Sequence, residues 1–250
     1  MLIQNKNSKL PLVISLCDYS GNWPYYYTLA NYPVALFDLK HGDDIINKMA
    51  EVFIVAKTFN YNVLAVLAAP VCTDFSVSGA QYWKAKDKDG RTEQSLKLLD
   101  ACIEIVNVLK PKYYAIENPV GRIPKLRPDL GKPEFYFDPC DYAGYLDINK
   151  VGTVIELADE IRTKGENGEA LTKEEIDFSL ETNLYTKKTG IWGDFNIPDK
   201  QRIQPIKFKG KNGDYYSPVH WYSGGKSDKT KELRSNTPLG FSKAFFTFNK

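Results

Sequence analysis

The chain has 250 residues, of which 43% are hydrophobic and 13% aromatic, and its formal net charge is +2. This is enough for one sizeable domain with a core of its own, and the small net charge means that any nucleic-acid surface must be local. The four cysteines form no Cys-x-x-Cys pair and there are only two histidines, so we expect a reduced protein without a metal site.

The amino terminus and the apolar runs indicate where the protein resides. Residues 1–10 lack the apolar stretch of a signal peptide. No apolar run approaches the roughly 18 residues that span a bilayer. We therefore expect a cytoplasmic protein with no membrane partner, and we expect a monomer.

Short apolar runs in the first half of the chain predict the strands of a sheet. Continuous apolar runs suit strands that are buried on both faces, as in a parallel sheet. The predicted strands are Leu12–Leu16, Val34–Phe37, Val63–Ala69 and Tyr113–Ile116.

Helical patterns separate these runs. The first predicted helix has apolar residues at helical spacing from Ile45 to Ala56. The second runs from about Thr92, a predicted N-cap, to Leu109, ahead of Pro111. This alternation predicts an α/β fold with a Rossmann-like, doubly wound sheet, which binds ligands at the carboxyl ends of its strands.

Residues 147–183 are acidic, with ten acidic against four basic residues and a net charge of −6. Two capping boxes predict two short helices, one at Thr153 with Glu156 and one at Thr172 with Glu175. We interpret the segment as a solvated structural insertion, which is a poor surface for DNA.

Residues 196–236 are basic, with a net charge of +5 and interleaved aromatic residues. This pattern suits phosphate neutralisation and base stacking, although a charged run is also typical of an ordinary solvated surface. Lys207, Lys209 and Lys211 are the candidate nucleic-acid contacts. Residues 239–248 predict a closing helix.

Two fragments that follow predicted strands carry candidate chemistry. Cys72 comes directly after the third strand, and Glu117 ends the fourth. Because parallel strands end at the same edge of a sheet, the two side chains can share one pocket as nucleophile and proton donor. The alternatives are a small core cysteine and a loop-bracing acid.

The order of four blocks resembles the cytosine-5 methyltransferases. That family has a loop Gly-Pro-Pro-Cys-Gln-x-Phe-Ser-x-x-Gly and then Glu-Asn-Val. This chain departs from it at Ala69, Val71 and Thr73. It resembles more closely a group of short phage homologues with Cys-Thr-x-Phe-x-Val-Ser-Gly, Glu-Asn-Pro-Val-Gly-Arg, Tyr-Thr-Lys-Lys-Thr-x-x-Trp-Gly and Thr-Pro-x-Gly-Phe. Those blocks stand here at 72–79, 117–122, 185–193 and 237–241.

The resemblance implies a covalent methyl transfer to DNA. Cys72 would add to C6 of a cytosine flipped out of a duplex while Glu117 engages N3, so that C5 attacks the methyl group of S-adenosyl-L-methionine. The resemblance also implies catalytic roles for Asn118 and Lys187, and nucleic-acid contacts for Ser76, Ser78 and Arg122. It places the protein in a bacterium or a phage-infected cell.

The cofactor is expected at the end of the first strand, where the family carries Phe-x-Gly-x-Gly-Gly and this chain has a single glycine. The implied cofactor residues are Asp18, Tyr19, Ser20, Gly21, Asn22, Trp23, Asp38, Asp44, Pro70, Asn236 and Thr237. Asp38 could bind ribose hydroxyls or simply form a turn, and Asp44 could meet the adenine or simply start a helix.

The sequence thus predicts an S-adenosylmethionine-dependent methyltransferase domain at 1–195 plus 236–250, with the acidic helical insertion at 147–183. A small target-recognition segment is predicted at 196–235. The alternatives are a nucleic-acid-binding homologue that has lost catalysis, and the same chemistry on RNA, on a nucleotide or with a modified sulfonium donor.

Overall fold

A computed structural model describes residues 2–221 and 235–250, and the structural statements below concern those residues. The chain divides into two compact units. Unit 1 comprises Met1–Tyr136, Thr189–Ile197 and Phe246–Lys250, and unit 2 comprises Phe137–Lys188 and Pro198–Phe245.

A mixed, mostly parallel sheet of seven strands is the centre of the fold. Its strands are β1 (Leu2–Gln4), β2 (Leu12–Leu16), β3 (Val34–Phe37), β4 (Val63–Ala68), β5 (Tyr113–Pro119), β6 (Phe135–Phe137) and β7 (Thr189–Asp194). They are arranged in the order β1-β3-β2-β4-β5-β7-β6, in which β3, β2, β4 and β5 are parallel, whereas β1 and β7 are antiparallel to their neighbours β3 and β5. The four predicted strands and the α/β class are confirmed, and the arrangement is compatible with a Rossmann-like fold.

The helices of unit 1 are α1 (Tyr25–Leu29), α2 (Ile45–Thr58), α3 (Trp83–Lys88), α4 (Arg91–Leu109) and α5 (Ile123–Leu126). Helices α2 and α4 pack with Leu12, Ile14 and Leu16, which alternate along β2 onto one face, into the main core. The two predicted helices are therefore confirmed, but Thr92 is not the N-cap of α4. Gly90 occupies that position with φ +81°, in the left-handed region that glycine adopts without strain.

The order of the strands creates a switch point at β2. From β2 the chain passes to β3 on one side, and after α2 it returns to β4 on the other side. Sheets of this type open a crevice at the carboxyl ends of the two strands that flank such a switch. The loops that follow β2 and β4, which carry the motifs of Asp18 and Cys72, therefore border the expected binding crevice.

Unit 2 contains both the acidic segment and part of the basic segment. Its elements are α6 (Gly152–Glu166), α7 (Lys173–Glu181), β8 (Phe208–Lys209), β9 (Tyr215–Tyr216), α8 (Pro218–Trp221) and most of α9 (Leu239–Phe248). The two helices of the acidic segment and the closing helix are confirmed. The predicted domain boundaries follow charge rather than packing, and as a functional division they stay a prediction. Within the described residues, none of the helices is long and apolar enough to cross a membrane.

One of the two predicted capping boxes is present. The hydroxyl of Thr172 accepts a hydrogen bond from the Glu175 N–H at 3.2 Å, and the Glu175 carboxylate accepts one from the Thr172 N–H at 2.6 Å. The box at Thr153 was wrong, because α6 begins one residue earlier, at Gly152, and its N-cap is Val151. A preceding 3-10 turn at Asp147–Lys150 sets that start.

These two threonines make a matched test of the capping interaction. We expect Thr172→Ala to lower the free energy of unfolding by about 0.5–2 kcal/mol, because it removes the acceptor for an orphan N–H of α7. We expect Thr153→Ala to change it by less than about 0.5 kcal/mol, because Thr153 is exposed and does not cap α6. Urea denaturation of both variants measures the difference, and equal losses would refute the assignment.

Candidate active site

The loop after β2 is organised around the carboxylate of Asp18. This side chain is 5% exposed. It accepts hydrogen bonds from the hydroxyls of Ser15 (3.2 Å) and Ser20 (2.8 Å) and from the backbone N–H groups of Gly21 (3.0 Å) and Trp23 (3.1 Å). Burial raises the pKa of Asp18, although the four donors act in the opposite direction. Asp18 therefore braces the loop from inside, and its predicted role in binding a cofactor stays a prediction.

The other residues of this loop divide between core and surface. Trp23 is fully buried and belongs to the core, and its predicted contact with a cofactor stays a prediction. Gly21 has φ +66°, and a Cβ there would lie 3.1 Å from Leu36, which explains why this one glycine is present. Ser20 is exposed and Asn22 is half-buried, with its N–H donating to the Ser20 hydroxyl at 3.2 Å.

Tyr19 presents an exposed ring beside the next strand's loop. Its ring is 43% exposed and lies 4.9 Å from the ring of His41, and the Lys40 ammonium lies 4.6 Å from the ring centroid. An exposed aromatic face that a cation supports is a surface on which a planar ligand can stack. Of the predicted cofactor residues, Tyr19 keeps a side chain that is available to a ligand.

The two candidate carboxylates after β3 have different surroundings. Asp44 is the N-cap of α2: Oδ1 accepts from Ile46 N–H at 3.1 Å, and Oδ2 accepts from the Asn47 side chain at 2.6 Å. The alternative that Asp44 starts a helix is thus correct. Asp38 caps a 3-10 turn through Oδ1 alone, which accepts from Lys40 N–H at 2.8 Å. Within the described part of the chain, Oδ2 of Asp38 has no donor.

Cys72 lies in a tight turn after β4. Its carbonyl accepts hydrogen bonds from the N–H groups of Phe75 (3.1 Å) and Ser76 (2.9 Å), and the fully buried ring of Phe75 anchors the turn. Cys72 is partly exposed, and the neighbouring Val71 is 46% exposed. The alternative that Cys72 is a core cysteine is therefore wrong.

The turn is fastened to the end of β5, where Glu117 is buried with 6% exposure. The side chain of Asn118 donates to the carbonyl of Pro70 at 3.0 Å. Further along, Val77 N–H donates to the Val120 carbonyl at 3.1 Å. The structure therefore brings together the two motifs that the sequence predicted to meet, and it gives Asn118 and Pro70 the role of joining them.

Close approach at Gly121 completes this junction. Ser76 and Gly121 form an antiparallel bridge, and Arg122 N–H donates to the Phe75 carbonyl at 3.0 Å. A Cβ on Gly121 would overlap the Phe75 carbonyl oxygen. A residue without a side chain is thus required where the two loops pair.

The buried guanidinium of Arg122 also holds the junction together through hydrogen bonds. Arg122 is 8% exposed, and its guanidinium lies over the Trp83 ring. It donates hydrogen bonds from Nε to the Asp74 carbonyl (3.0 Å), from Nη1 to the Asp87 carboxylate (2.9 Å) and from Nη2 to the Thr92 hydroxyl (2.8 Å). Its hydrogen bonds lower the pKa of Asp87. Its donors are directed at the protein, and the predicted contact of Arg122 with nucleic acid stays a prediction.

The remaining candidates of unit 1 are hydroxyls on the same loop. Ser76 caps the 3-10 turn Val77–Tyr82, and the Ser76 and Ser78 hydroxyls lie 2.9 Å apart. Ser78 is exposed, and Ser76 is half-buried. Their predicted contacts with nucleic acid stay a prediction.

The remaining candidate residues lie in unit 2. The backbone N–H of Lys187 donates to the Asp138 carboxylate, and Thr237 is buried at 2% exposure, whereas Asn236 is half-buried. Lys209 and Lys211 are exposed on the β8–β9 hairpin, and Lys207 is half-buried. The basic residues 226, 229, 231 and 234 lie outside the described residues.

Internal ion pairs account for two of the nine basic residues counted at 196–236. The buried carboxylate of Asp141 pairs with Lys200 at 2.8 Å and with Arg202 at 2.5 Å. These two cations stabilise unit 2 locally, so the surface charge available to a partner is smaller than the sequence count indicates.

The other cysteines are unsuited to nucleophilic attack. A hydrogen bond with Cys102, followed by burial, raises the pKa of the Cys17 thiol. Burial raises the pKa of Cys140 to about 11. Among the described residues, no three His, Cys, Asp or Glu side chains are placed to hold a metal ion.

Comparison with known proteins adds no assignment. No model of a known protein family matches the chain, and no curated protein matches it. The chemistry of this site must therefore be argued from its own residues.

Gly121 and Gly152 provide a matched test of the junction. We expect Gly121→Ala to lower the free energy of unfolding by about 1–3 kcal/mol, because its methyl group displaces the Phe75 carbonyl. We expect Gly152→Ala, which meets nothing within 4 Å in the first turn of α6, to leave stability unchanged or slightly higher. Urea denaturation decides, and a tolerated Gly121→Ala would contradict the close approach.

Proposed function

We propose that this protein is a DNA cytosine-5 methyltransferase that transfers the methyl group of S-adenosyl-L-methionine to a flipped cytosine through a covalent adduct of Cys72. The observation that supports this most strongly is the junction between the Cys72 turn and the end of β5. It ties the turn that carries the partly exposed Cys72 thiol to the end of β5, which carries the buried Glu117 carboxyl. The resemblance of the four sequence blocks supplies the reaction.

The chemistry requires a nucleophile and a proton donor. The Cys72 sulfur forms a bond to C6 of the base while the Glu117 carboxyl donates its proton to N3, so the ring electrons shift to C5. C5 would then take the methyl group that the sulfonium donor supplies, and the donor sulfur would leave with the electron pair of the broken bond. A base then removes the proton from C5, the bond between C6 and Cys72 breaks to release the thiolate, and N3 returns its proton to Glu117, which restores the aromatic ring.

The residues at the switch point fit an adenosyl group in part. When bound, the donor supplies an activated methyl group on a sulfonium. Asp38 offers the carboxylate oxygen Oδ2 to ribose hydroxyls at the end of β3, and Tyr19 offers an exposed ring for the adenine. The side chains of Asp18, Trp23 and Asp44 are less available to the donor, since each is committed to the protein itself.

The partner in this proposal is double-stranded DNA. Lys209 and Lys211, which are exposed on the β8–β9 hairpin, are the proposed phosphate contacts. The target cytosine must leave the stack before Cys72 can reach C6.

Asp38 and Asp44 allow a controlled test of cofactor binding by calorimetry. Both residues cap a turn, and asparagine caps as well as aspartate does, so either Asp→Asn change keeps the fold. We expect Asp38→Asn to weaken S-adenosylmethionine binding by about 10- to 100-fold, the scale of a charge-assisted hydrogen bond. Asp44→Asn should bind normally, and equal weakening would remove Asp38 from the site.

Covalent trapping tests the reaction itself. DNA with 5-fluorocytosine blocks the last proton removal, so the wild-type protein with cofactor should form a stable adduct that mass spectrometry maps to Cys72. Cys72→Ser should abolish it, and Cys140→Ser should retain it. Glu117→Gln should slow its formation by roughly 10²–10⁴-fold, because N3 loses its acid. An adduct on another cysteine would overturn the site, and trapping on RNA alone would change the substrate.

The loop after β2 favours a second candidate, a nucleic-acid-binding homologue without catalysis. The resembling family has three glycines in this loop, whereas this chain has only Gly21, and the side chains of Asp18 and Trp23 are both directed inward. In that case DNA binds, but neither S-adenosylmethionine nor its demethylated product gives heat. The two measurements above separate the candidates.

A further inference from the structure

Lys86 is a buried lysine whose ammonium is directed at the loop of Cys72. It lies in α3 and is 8% exposed. The ammonium pairs with Oδ1 of Asp74 at 3.0 Å and donates a hydrogen bond to the carbonyl of Thr73. A buried cation is costly unless its partners are well placed, so these two contacts hold the ammonium beside the loop.

Asp74 links the same loop to two other elements. Its Oδ2 accepts a hydrogen bond from the Ser95 hydroxyl of α4 at 2.6 Å, and its carbonyl accepts one from Arg122 at 3.0 Å. The ion pair therefore belongs to a buried network that includes α3, α4 and the end of β5. Asp74 is two residues from Cys72, and Thr73 is its immediate neighbour.

The far end of the same loop, at Gly79, also passes close to the Lys86 ammonium. A Cβ on Gly79 would lie 3.1 Å from the Thr73 carbonyl oxygen and 3.8 Å from the Lys86 nitrogen. The ammonium thus lies where the two ends of the loop, at Thr73 and at Gly79, approach each other. A donor at this place can set the orientation of the peptide that follows the nucleophile.

We propose that Lys86 is a positioning residue, which through its hydrogen bond to the Thr73 carbonyl holds Cys72 in the orientation needed for attack on the base. This rests on the proposed function, because it concerns the same nucleophile. Preorganisation of a nucleophile acts on the rate of bond formation, and a displacement of about 1 Å can cost about 100-fold. A merely structural ion pair would act on stability instead.

Two variants separate these roles. Asp74→Asn removes the ion pair but keeps the ammonium on the Thr73 carbonyl. Asp74→Asn combined with Lys86→Met also lacks the ion pair, and it additionally loses that donor. Because the double variant has no unpaired buried charge, it should be at least as stable as Asp74→Asn. Lys84→Met, on the exposed part of the same helix, is the control in the Asp74→Asn background.

The adduct rate is measured on 5-fluorocytosine DNA at saturating DNA and cofactor, with DNA affinity and urea stability measured in parallel. We expect Asp74→Asn, with or without Lys84→Met, to stay close to the wild-type rate. The double variant should be slower by about 10- to 100-fold at unchanged DNA affinity. A double variant as fast as Asp74→Asn would overturn the proposal, as would a rate loss in Asp74→Asn of the same size.

Backbone hydrogen exchange tests the role of Lys86 in orienting the turn without relying on the methyl-transfer reaction. The N–H groups of Phe75 and Ser76 are bonded to the Cys72 carbonyl, so their exchange reports on the turn. We expect the peptide covering 72–79 to exchange faster in the double variant than in Asp74→Asn, while the peptide covering 12–16 is unchanged. If the wild type traps no DNA but exchange behaves as expected, the proposed function fails and the role of Lys86 in orienting the turn stands. Equal exchange in the two variants would refute that role.

Discussion

The hydrogen bond from the Asn118 side chain to the Pro70 carbonyl is the constraint on which the site depends. Asn118 is fully buried in β5, and Pro70 lies two residues after the end of β4. This 3.0 Å contact therefore ties together the ends of two neighbouring parallel strands. Beyond it, the paired backbones at Val77 with Val120 and at Ser76 with Gly121 continue the junction. A buried amide that lost its acceptor would remain unsatisfied, so the loop cannot move away from β5 without a cost of about 1–3 kcal/mol. The position of Cys72 relative to Glu117 follows from this restraint.

Most buried polar side chains of the site form hydrogen bonds that hold its loops in place. Asp18 and Arg122 each bond to three or more protein groups, and both are nearly inaccessible. A charged group in such a place stabilises one loop conformation, because each alternative conformation would leave it buried without partners. Catalytic groups, in contrast, need partial access to a ligand. Cys72, Tyr19 and Asp38 are at least partly exposed, and they lie on the loops that follow β4, β2 and β3. The loops at the strand switch thus combine buried, hydrogen-bonded side chains with a small number of exposed ones.

The sequence predicted the parts of this site that depend on local patterns. Apolar runs located β2, β3, β4 and β5, and the rule that parallel strands end at one edge correctly placed the Cys72 turn beside the end of β5. Helix caps were less predictable, because a threonine followed three residues later by glutamate does not always mark the start of a helix. Thr172 is the N-cap of α7, whereas α6 already begins at Gly152, before Thr153. The network of Arg122 could not be predicted, since its partners are 30 to 48 residues away in sequence and meet only after folding. The Arg within Glu-Asn-Pro-Val-Gly-Arg was visible as a motif, but its direction was not.

The surroundings of the four cysteines explain how one thiol can be selected for covalent chemistry. Only a thiolate attacks carbon efficiently, so a thiol whose pKa is raised stays protonated and inert near neutral pH. Cys17 and Cys102 lie together at the core, where their mutual hydrogen bond and burial raise the pKa of Cys17, and Cys140 has a pKa of about 11. A thiol of pKa 11 has about one thiolate in ten thousand molecules at pH 7. Cys72 differs in its location, because it lies on a partly exposed turn that tertiary hydrogen bonds hold in place. Burial thus protects Cys102 and Cys140, and a raised pKa protects Cys17, whereas Cys72 lies on the loop that follows β4.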